Sequence, residues 1–190
     1  NFQRLERQFG TLSASGQAQI SLLKKEQARI DDMVALSLKI KELPLERLPS
    51  YVYKLAPLGE YQHRGVAFLK NIRRAPLFAE PGMGKTFMVL VSTEQHIKDG
   101  MIERGKTLVT AKLATLETGW MEDAVKFTGL NVVNLWLPQV SKRKEKILAL
   151  LNEPADVYLI NHDGLRVFKD ELAAKNFQKV VVDESTILKG

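Results

Sequence analysis

Hydrophobic residues change their spacing near residue 50, and the two parts of the chain predict different kinds of structure. In the first part, Ile20, Leu23, Ile30 and Val34 recur at helical intervals, which predicts an amphipathic helix over about 17–32. From Val34 to Ile40 the apolar residues alternate with other residues, which favours a short strand. We therefore expect residues 1–50 to be an accessory segment of one helix and one strand. A coiled-coil contact with a partner is the alternative use of this helix, although it contains too few heptads to support one.

After residue 50, short apolar runs alternate with helical patterns. The predicted strands are Pro76–Ala79, Thr107–Ala111, Asn131–Trp136, Asp156–Asn161 and Lys179–Asp183. The predicted helices are Tyr61–Asn71, Lys85–His96, Thr115–Phe127, Ser141–Leu151 and Leu165–Ala174. This alternation is typical of βαβ units and predicts an α/β domain whose mainly parallel sheet carries helices on both faces. The uninterrupted run Val180–Val182 predicts a central strand that is buried on both sides.

One glycine-rich segment, AEPGMGKT, begins at Ala79 and matches the phosphate-loop pattern G-x-x-x-x-G-K-[ST] except at its first glycine. Gly82 and Gly84 allow backbone N–H groups to point at an anion, and the following helix N-terminus adds its positive dipole. Lys85 is expected to reach the β- and γ-phosphates of ATP, and the Thr86 hydroxyl is expected to bind Mg²⁺. The predicted nucleotide-binding residues of the loop are Glu80, Pro81, Gly82, Met83, Gly84, Lys85 and Thr86.

Two carboxylates, Asp183 and Glu184, directly follow the last predicted strand. Ligands of parallel α/β sheets bind outside the carboxyl ends of the strands, where the phosphate loop is also expected. We therefore predict that Asp183 holds Mg²⁺ and that Glu184 orients and deprotonates the attacking water. An ordinary solvated turn is the alternative for these carboxylates. The predicted catalytic residues are Lys85, Asp183 and Glu184, with ATP and Mg²⁺ as cofactors.

Composition narrows the possible partners and compartments. The formal net charge of +6 favours a polyanionic partner such as nucleic acid. The chain has no cysteine, which excludes disulfides and cysteine-based metal sites. No apolar run approaches the roughly 18 residues that a membrane span requires, so no membrane association is expected. Because the chain begins without Met and stops at Gly190, just after the acidic pair, we expect it to be a fragment of a longer protein.

The order of the motifs resembles the first motor domain of superfamily-two helicases, and most of all the Swi/Snf-type DNA translocases and their phage and bacterial relatives. The resemblance covers about residues 55–190 and is carried by Tyr61-Gln62, AEPGMGKT, LVTAKLATLETGW, VYLINHDGL and VVVDEST. It implies an N-terminal RecA-like ATPase domain over 51–190 that ends after the Asp-Glu box. It also implies a second RecA-like domain of the same protein, without which this chain binds ATP weakly and hydrolyses it slowly. The implied location is the cytoplasm of a bacterium or a phage-infected cell, with the nucleus left open.

The same resemblance suggests roles for residues outside the phosphate loop. Gln62 occupies the position of the glutamine that reads the adenine edge in this family, a task that suits an amide. The turn after Thr107–Ala111 resembles the motif that contacts the DNA backbone, and it has Lys112 where the family usually has proline. Lys112 and Thr115 are chemically suited to phosphate contacts, and His162 lies in the motif near the tracked strand. Trp120 falls at the family position and is expected in the core.

The acidic box reads Asp-Glu-Ser-Thr, which argues against the RNA helicases named for D-E-A-D and D-E-A-H. The basic run Ser141–Lys146 is either a solvated face or a phosphate contact. We predict a motor domain of an ATP-dependent DNA translocase or helicase that acts on DNA, most readily double-stranded. The alternatives are the motor part of a restriction or repair complex and a nucleotide- or DNA-binding scaffold without turnover.

Overall fold

The computed structural model describes residues 14–43, 59–136 and 143–184. The chain divides into two compact units, Asn1–Leu43 and Pro44–Gly190. None of the helices within the described ranges combines the length and the apolarity that crossing a bilayer requires.

The described part of the first unit is a single helix, α1 (Ala14–Glu42). The strand expected over Val34–Ile40 is therefore wrong, because these residues continue the helix. No glycine or proline interrupts the sequence between Gly16 and Pro44, and extending an existing helix costs less than starting a new element. An isolated strand would also have needed a neighbouring strand to pair with its backbone.

The second unit is built on a parallel four-stranded sheet with the order β2-β3-β1-β4. Its strands are β1 (Thr107–Ala111), β2 (Val132–Asn134), β3 (Val157–Asn161) and β4 (Lys179–Val182). In the register of β1, Thr107 lies beside Val157 on one side and Lys179 on the other. The predicted α/β architecture with a parallel sheet is confirmed.

Helices connect the strands and cover both faces of this sheet. They are α2 (Glu60–Asn71), α3 (Lys85–Lys98), α4 (Leu113–Thr115), a π-helical turn (Leu116–Met121), α5 (Glu122–Phe127), α6 (Arg143–Asn152), α7 (His162–Val167) and α8 (Lys169–Ala174). The basic helix expected from Ser141 is α6, whereas Ser141 itself lies outside the described residues. The helix predicted over 165–174 is instead two short helices with Phe168 between them.

Two apolar cores lie on opposite faces of the sheet because successive strand side chains point in opposite directions. Val109 and Leu159 pack with residues of α3, the π-helical turn and α5. Leu108 and Tyr158 pack on the other face with residues of α6 and α8. A third cluster, which includes Val66, joins α2 to α3 and so fixes the helix that follows the phosphate loop.

Two details of the predicted sheet are wrong. Strand β4 is an edge strand of the described sheet rather than a central one, and Val180 is 56% exposed. The segment Pro76–Ala79 forms no strand and pairs with none of the strands among the described residues, and Phe78 is 91% exposed. A short apolar run alone does not reveal whether its backbone pairs with a neighbour, and here Leu77 anchors the segment by packing against the α2–α3 cluster.

The amino end of β4 carries a largely buried lysine. The Lys179 ammonium donates to Ser92 Oγ at 3.1 Å and to His96 Nδ1 at 3.3 Å. The other ring nitrogen of His96 lies 3.1 Å from the Lys70 carbonyl oxygen, so it carries the proton and the ring is neutral. Because the partners of Lys179 are uncharged, burial dominates and lowers the pKa of Lys179 to about 7.

Candidate active site

The phosphate loop enters α3 through glycines in left-handed backbone conformations. The φ angles of Gly82 and Gly84 are 84° and 74°, a region that residues with side chains adopt only with strain. Gly84 is the N-cap of α3 and offers no side-chain cap to the helix. The first backbone N–H groups of α3 therefore point out of the helix end, where they can donate hydrogen bonds to a phosphate.

Gln62 lies directly beside this loop. A Cβ atom at Gly84 would come within 2.8 Å of the Gln62 Nε2 atom, so position 84 has no room for a side chain unless Gln62 moves. The Gln62 Oε1 atom accepts a hydrogen bond of 3.0 Å from the Gly59 backbone N–H at the start of α2. The residue predicted to read adenine is thus fixed against the phosphate loop by its own helix cap. The adenine contact itself stays a prediction.

Lys85 closes the loop through two main-chain carbonyls. Its ammonium donates to Ala79 O at 2.8 Å and to Glu80 O at 3.1 Å. An ammonium has three N–H donors, so a third can reach a phosphate oxygen. The contact also explains why alanine is acceptable at the first loop position, since Ala79 takes part through its carbonyl group rather than its side chain.

Asp183 is positioned by the sheet and by a buried tryptophan. Its backbone N–H donates to Thr110 O at 2.9 Å, which extends the pairing of β4 with β1 by one residue. The Trp120 indole N–H donates to Asp183 Oδ2 at 3.2 Å, and Trp120 is 2% exposed. The prediction that Trp120 lies in the core is confirmed. Its contact with Asp183 was missed, although a buried indole N–H regularly finds an acceptor.

Trp120 reaches Asp183 from the π-helical turn that follows α4. A π-helical turn is wider than an α-helical one and recurs at functional sites in proteins. Here the wider turn spans Leu116–Met121 and carries both Leu116 and Trp120 into the core. No residue pattern in the sequence indicated this departure from a regular helix.

Glu184 ends the acidic pair in an unusual backbone conformation. Its φ angle is 53°, in the left-handed region that favours glycine. Its carboxylate forms an ion pair with Lys112, which follows β1 directly. The two side chains are 44% and 53% exposed, respectively, so the pair faces solvent at the carboxyl edge of the sheet.

The residues that were predicted to bind Mg²⁺ fit that ion by their chemistry. Mg²⁺ in nucleotide sites usually takes one or two carboxylates and completes its shell with phosphates and water. Asp183 supplies a carboxylate that accepts one indole hydrogen bond and retains capacity for a cation, and Thr86 supplies a hydroxyl at the start of α3. Within the described ranges, no group of three or more His, Asp and Glu residues could hold a metal ion on its own.

The other predicted nucleic-acid residues make local contacts. The Thr115 hydroxyl donates to the Lys112 carbonyl at 3.0 Å, which tightens the turn after β1. His162 begins α7, and its Nδ1 atom lies 3.0 Å from Thr110 Oγ1. The His162 Nε2 atom is buried and has no hydrogen-bond partner among the described residues. In this orientation the His162 ring faces β1, and a nucleic-acid role for it stays a prediction.

Comparison with known proteins adds the family. Residues 61–190 match the family model described as the SNF2-related domain. This chain belongs to that family. The chain is 35% identical over 130 residues to protein p41 of Acyrthosiphon pisum secondary endosymbiont phage 1, and the aligned region covers 68% of this chain and 28% of the phage protein.

A solved structure shows the same fold. The SWI2/SNF2 ATPase core of Sulfolobus solfataricus, solved in complex with double-stranded DNA, is similar with a TM-score of 0.57 and 21% sequence identity. The match covers 78% of this chain and 30% of the Sulfolobus chain. The SNF2-related domain described here therefore spans less than a third of the length of either relative.

Proposed function

We propose that this SNF2-related domain is the ATP-binding part of a motor that hydrolyses ATP with Mg²⁺ and moves along double-stranded DNA. The observation that carries the proposal is that one α/β domain of the SNF2-related family contains both the phosphate loop and the Asp183–Glu184 pair. The net charge of +6 and the DNA complex of the Sulfolobus relative support DNA as the track. A bacterial or phage-infected cell is the proposed setting, which the phage relative supports.

The proposed hydrolysis assigns a separate task to each residue. The N–H groups at the start of α3 bind the phosphates, and Lys85 neutralises their charge. Thr86 and Asp183 would hold Mg²⁺, which supplies further charge neutralisation on the phosphates when it is bound. Glu184 accepts a proton from water as the water oxygen bonds to the γ-phosphorus. The bond from that phosphorus to the bridging oxygen then breaks and releases ADP and phosphate.

A second RecA-like domain of the same protein is part of the proposal. The chain spans about 30% of the Sulfolobus ATPase core, which leaves room in a motor of that size for the opposite wall of the nucleotide cleft. Groups from such a domain would complete the charge stabilisation of the transferred phosphoryl group. We therefore expect residues 1–190 alone to bind ATP weakly and to hydrolyse it slowly.

The test is Lys85→Ala in the full-length protein, with ATP turnover measured with and without duplex DNA. Loss of the phosphate-binding ammonium should abolish DNA-stimulated turnover. Lys98→Ala is the matched control, because Lys98 ends the same helix and pairs there with Glu94 at 3.4 Å. Unchanged turnover in Lys85→Ala would show that the loop does not serve hydrolysis. Nucleotide binding without turnover in the unmodified protein would instead support a scaffold.

A further inference from the structure

The segment that follows β1 contacts both carboxylates of the acidic pair. Trp120 donates to Asp183, and Lys112 forms an ion pair with Glu184. The sheet register explains the second contact, since Thr110 pairs with Val182 and two further residues on each strand bring Lys112 opposite Glu184. Both contacts arise from one short stretch of chain after β1, so the acidic pair is held from one side by neighbouring residues.

The two contacts differ in how easily they can be exchanged. Trp120 is 2% exposed and packed in the core, which makes its bond to Asp183 a fixed part of the fold. The Lys112–Glu184 pair is about half exposed, and an exposed ion pair is weak and competes with water and other ions. A phosphate oxygen is an acceptor of the same kind as the Glu184 carboxylate and can take the same ammonium.

The Lys112 contact also interferes with the proposed task of Glu184. The ammonium occupies the Oε2 atom, one of the two oxygens that can accept a proton from water. The backbone of Glu184 lies in the left-handed region, with φ at 53°, which costs strain in a residue with a side chain. Strain of this kind persists where the surrounding structure enforces it and is concentrated at functional sites.

We propose that Lys112 is a positioning residue that withholds Glu184 from the attacking water until a backbone phosphate of duplex DNA binds the Lys112 ammonium. This inference rests on the proposed function, because it assumes that Glu184 is the base and that DNA is the track. According to this proposal, the Lys112 side chain couples the binding of DNA to the hydrolysis of ATP. The proposal also gives a reason for a lysine beside Glu184. A lysine that only contacted DNA phosphate would not need to lie next to the acidic pair.

The experiment compares Lys112→Gln, Lys112→Arg and unmodified full-length protein, with Lys98→Gln as the control lysine. Steady-state ATP turnover is measured without DNA and with saturating duplex DNA, and the KM for ATP is measured in both conditions. Lys112→Gln should raise the DNA-free kcat by about two- to fivefold, the range expected for release of an exposed ion pair. The KM for ATP should not change, and the stimulation by DNA should fall. Lys112→Arg keeps the positive charge and should behave as the unmodified protein does.

Other outcomes would overturn the inference. An unchanged or lower DNA-free kcat in Lys112→Gln, together with weaker stimulation, would make Lys112 a DNA contact only. Inorganic phosphate at the same phosphate concentration should not reproduce the effect of DNA, and if it did, DNA would not be the ligand that releases Glu184. Failure of the proposed function would look different, because the unmodified protein would then show no ATP turnover or no stimulation by DNA. Thermal unfolding of each variant verifies that it is folded.

Discussion

The two ends of strand β4 differ in how their charged side chains are exposed and paired. At the carboxyl end, Asp183 and Glu184 meet an indole N–H and an ammonium, and Glu184 remains 44% exposed. At the amino end, Lys179 is largely buried, and its hydrogen-bond partners among the described residues are the uncharged groups of Ser92 and His96. An exposed charge with an exchangeable partner can serve chemistry, whereas a charge held in a buried cluster is costly to rearrange. The two ends of one strand thus separate the proposed reacting groups from the structural ones.

The strongest test of this comparison exchanges one residue at each end. Glu184→Gln in the full-length protein should lower kcat for ATP by about 10²- to 10⁴-fold, because it removes the proposed general base while keeping the shape of the side chain. Lys179→Met should leave turnover close to that of the unmodified protein, because it removes a charge at the end of β4 opposite to the acidic pair. Steady-state ATP turnover measures both. A comparable loss in Lys179→Met would mean that the amino end also takes part in catalysis.

A smaller effect is expected from Trp120→Phe, which removes the hydrogen bond to Asp183. Groups that orient a metal ligand typically change metal affinity by about 10- to 100-fold, so the Mg²⁺ concentration for half-maximal turnover should rise by about tenfold. Trp136→Phe is the matched control, since Trp136 packs against the same core. Equal shifts in the two variants would assign the effect to core packing instead of the bond to Asp183.

The smallest effect concerns the pH dependence of stability at the amino end. Burial lowers the pKa of Lys179 to about 7 in the folded state, from an ordinary value of 10.5 in the unfolded chain. Burial is the main cause that lowers the pKa of His96, and the charge of Lys179 is the second. The Asp99 carboxylate, which forms an ion pair with Lys70, opposes this shift. The unfolded chain therefore binds more protons than the folded one between about pH 7 and pH 10.

Stability should consequently rise with pH through this window, by at most about 1.4 kcal/mol per pH unit for the single proton on Lys179. Denaturant unfolding of the protein and of Lys179→Met at pH 7 and pH 9 measures the difference. The slope should be reduced in Lys179→Met, because methionine has no proton to bind. An equal slope in both proteins would mean that Lys179 is not the group that titrates.

Much of the site could be predicted from sequence because its signals are local. The loop that contains Gly84 and Lys85 is encoded by a short pattern, and an apolar run followed by Asp183 and Glu184 marks a strand end. The position of Gln62 came from family resemblance, and the structure brings it against Gly84. The loop and the acidic pair depend on residue type and spacing within a short stretch of chain, so a single sequence is enough to indicate them, whereas Gln62 required the resemblance.

The pairing between distant segments was harder to predict from the sequence. Alternating apolar residues over Val34–Ile40 suggested a strand, but helix α1 continues through them because nothing interrupts it. The apolar run of β4 suggested a central strand, but its place in the sheet depends on which segments pair with it. Burial patterns describe a side chain's environment and leave the choice of partner open.

The sequence by itself determined the parallel α/β domain, the phosphate loop and the identity of the acidic pair, since each follows from local spacing and chemistry. Only the tertiary structure decided that Trp120 holds Asp183 and that Lys112 holds Glu184. Those contacts join residues far apart in the chain, and they exist because β1 and β4 pair in one register. A shift of that register by one residue would turn the side chains at the end of β4 to the other face of the sheet and separate both pairs.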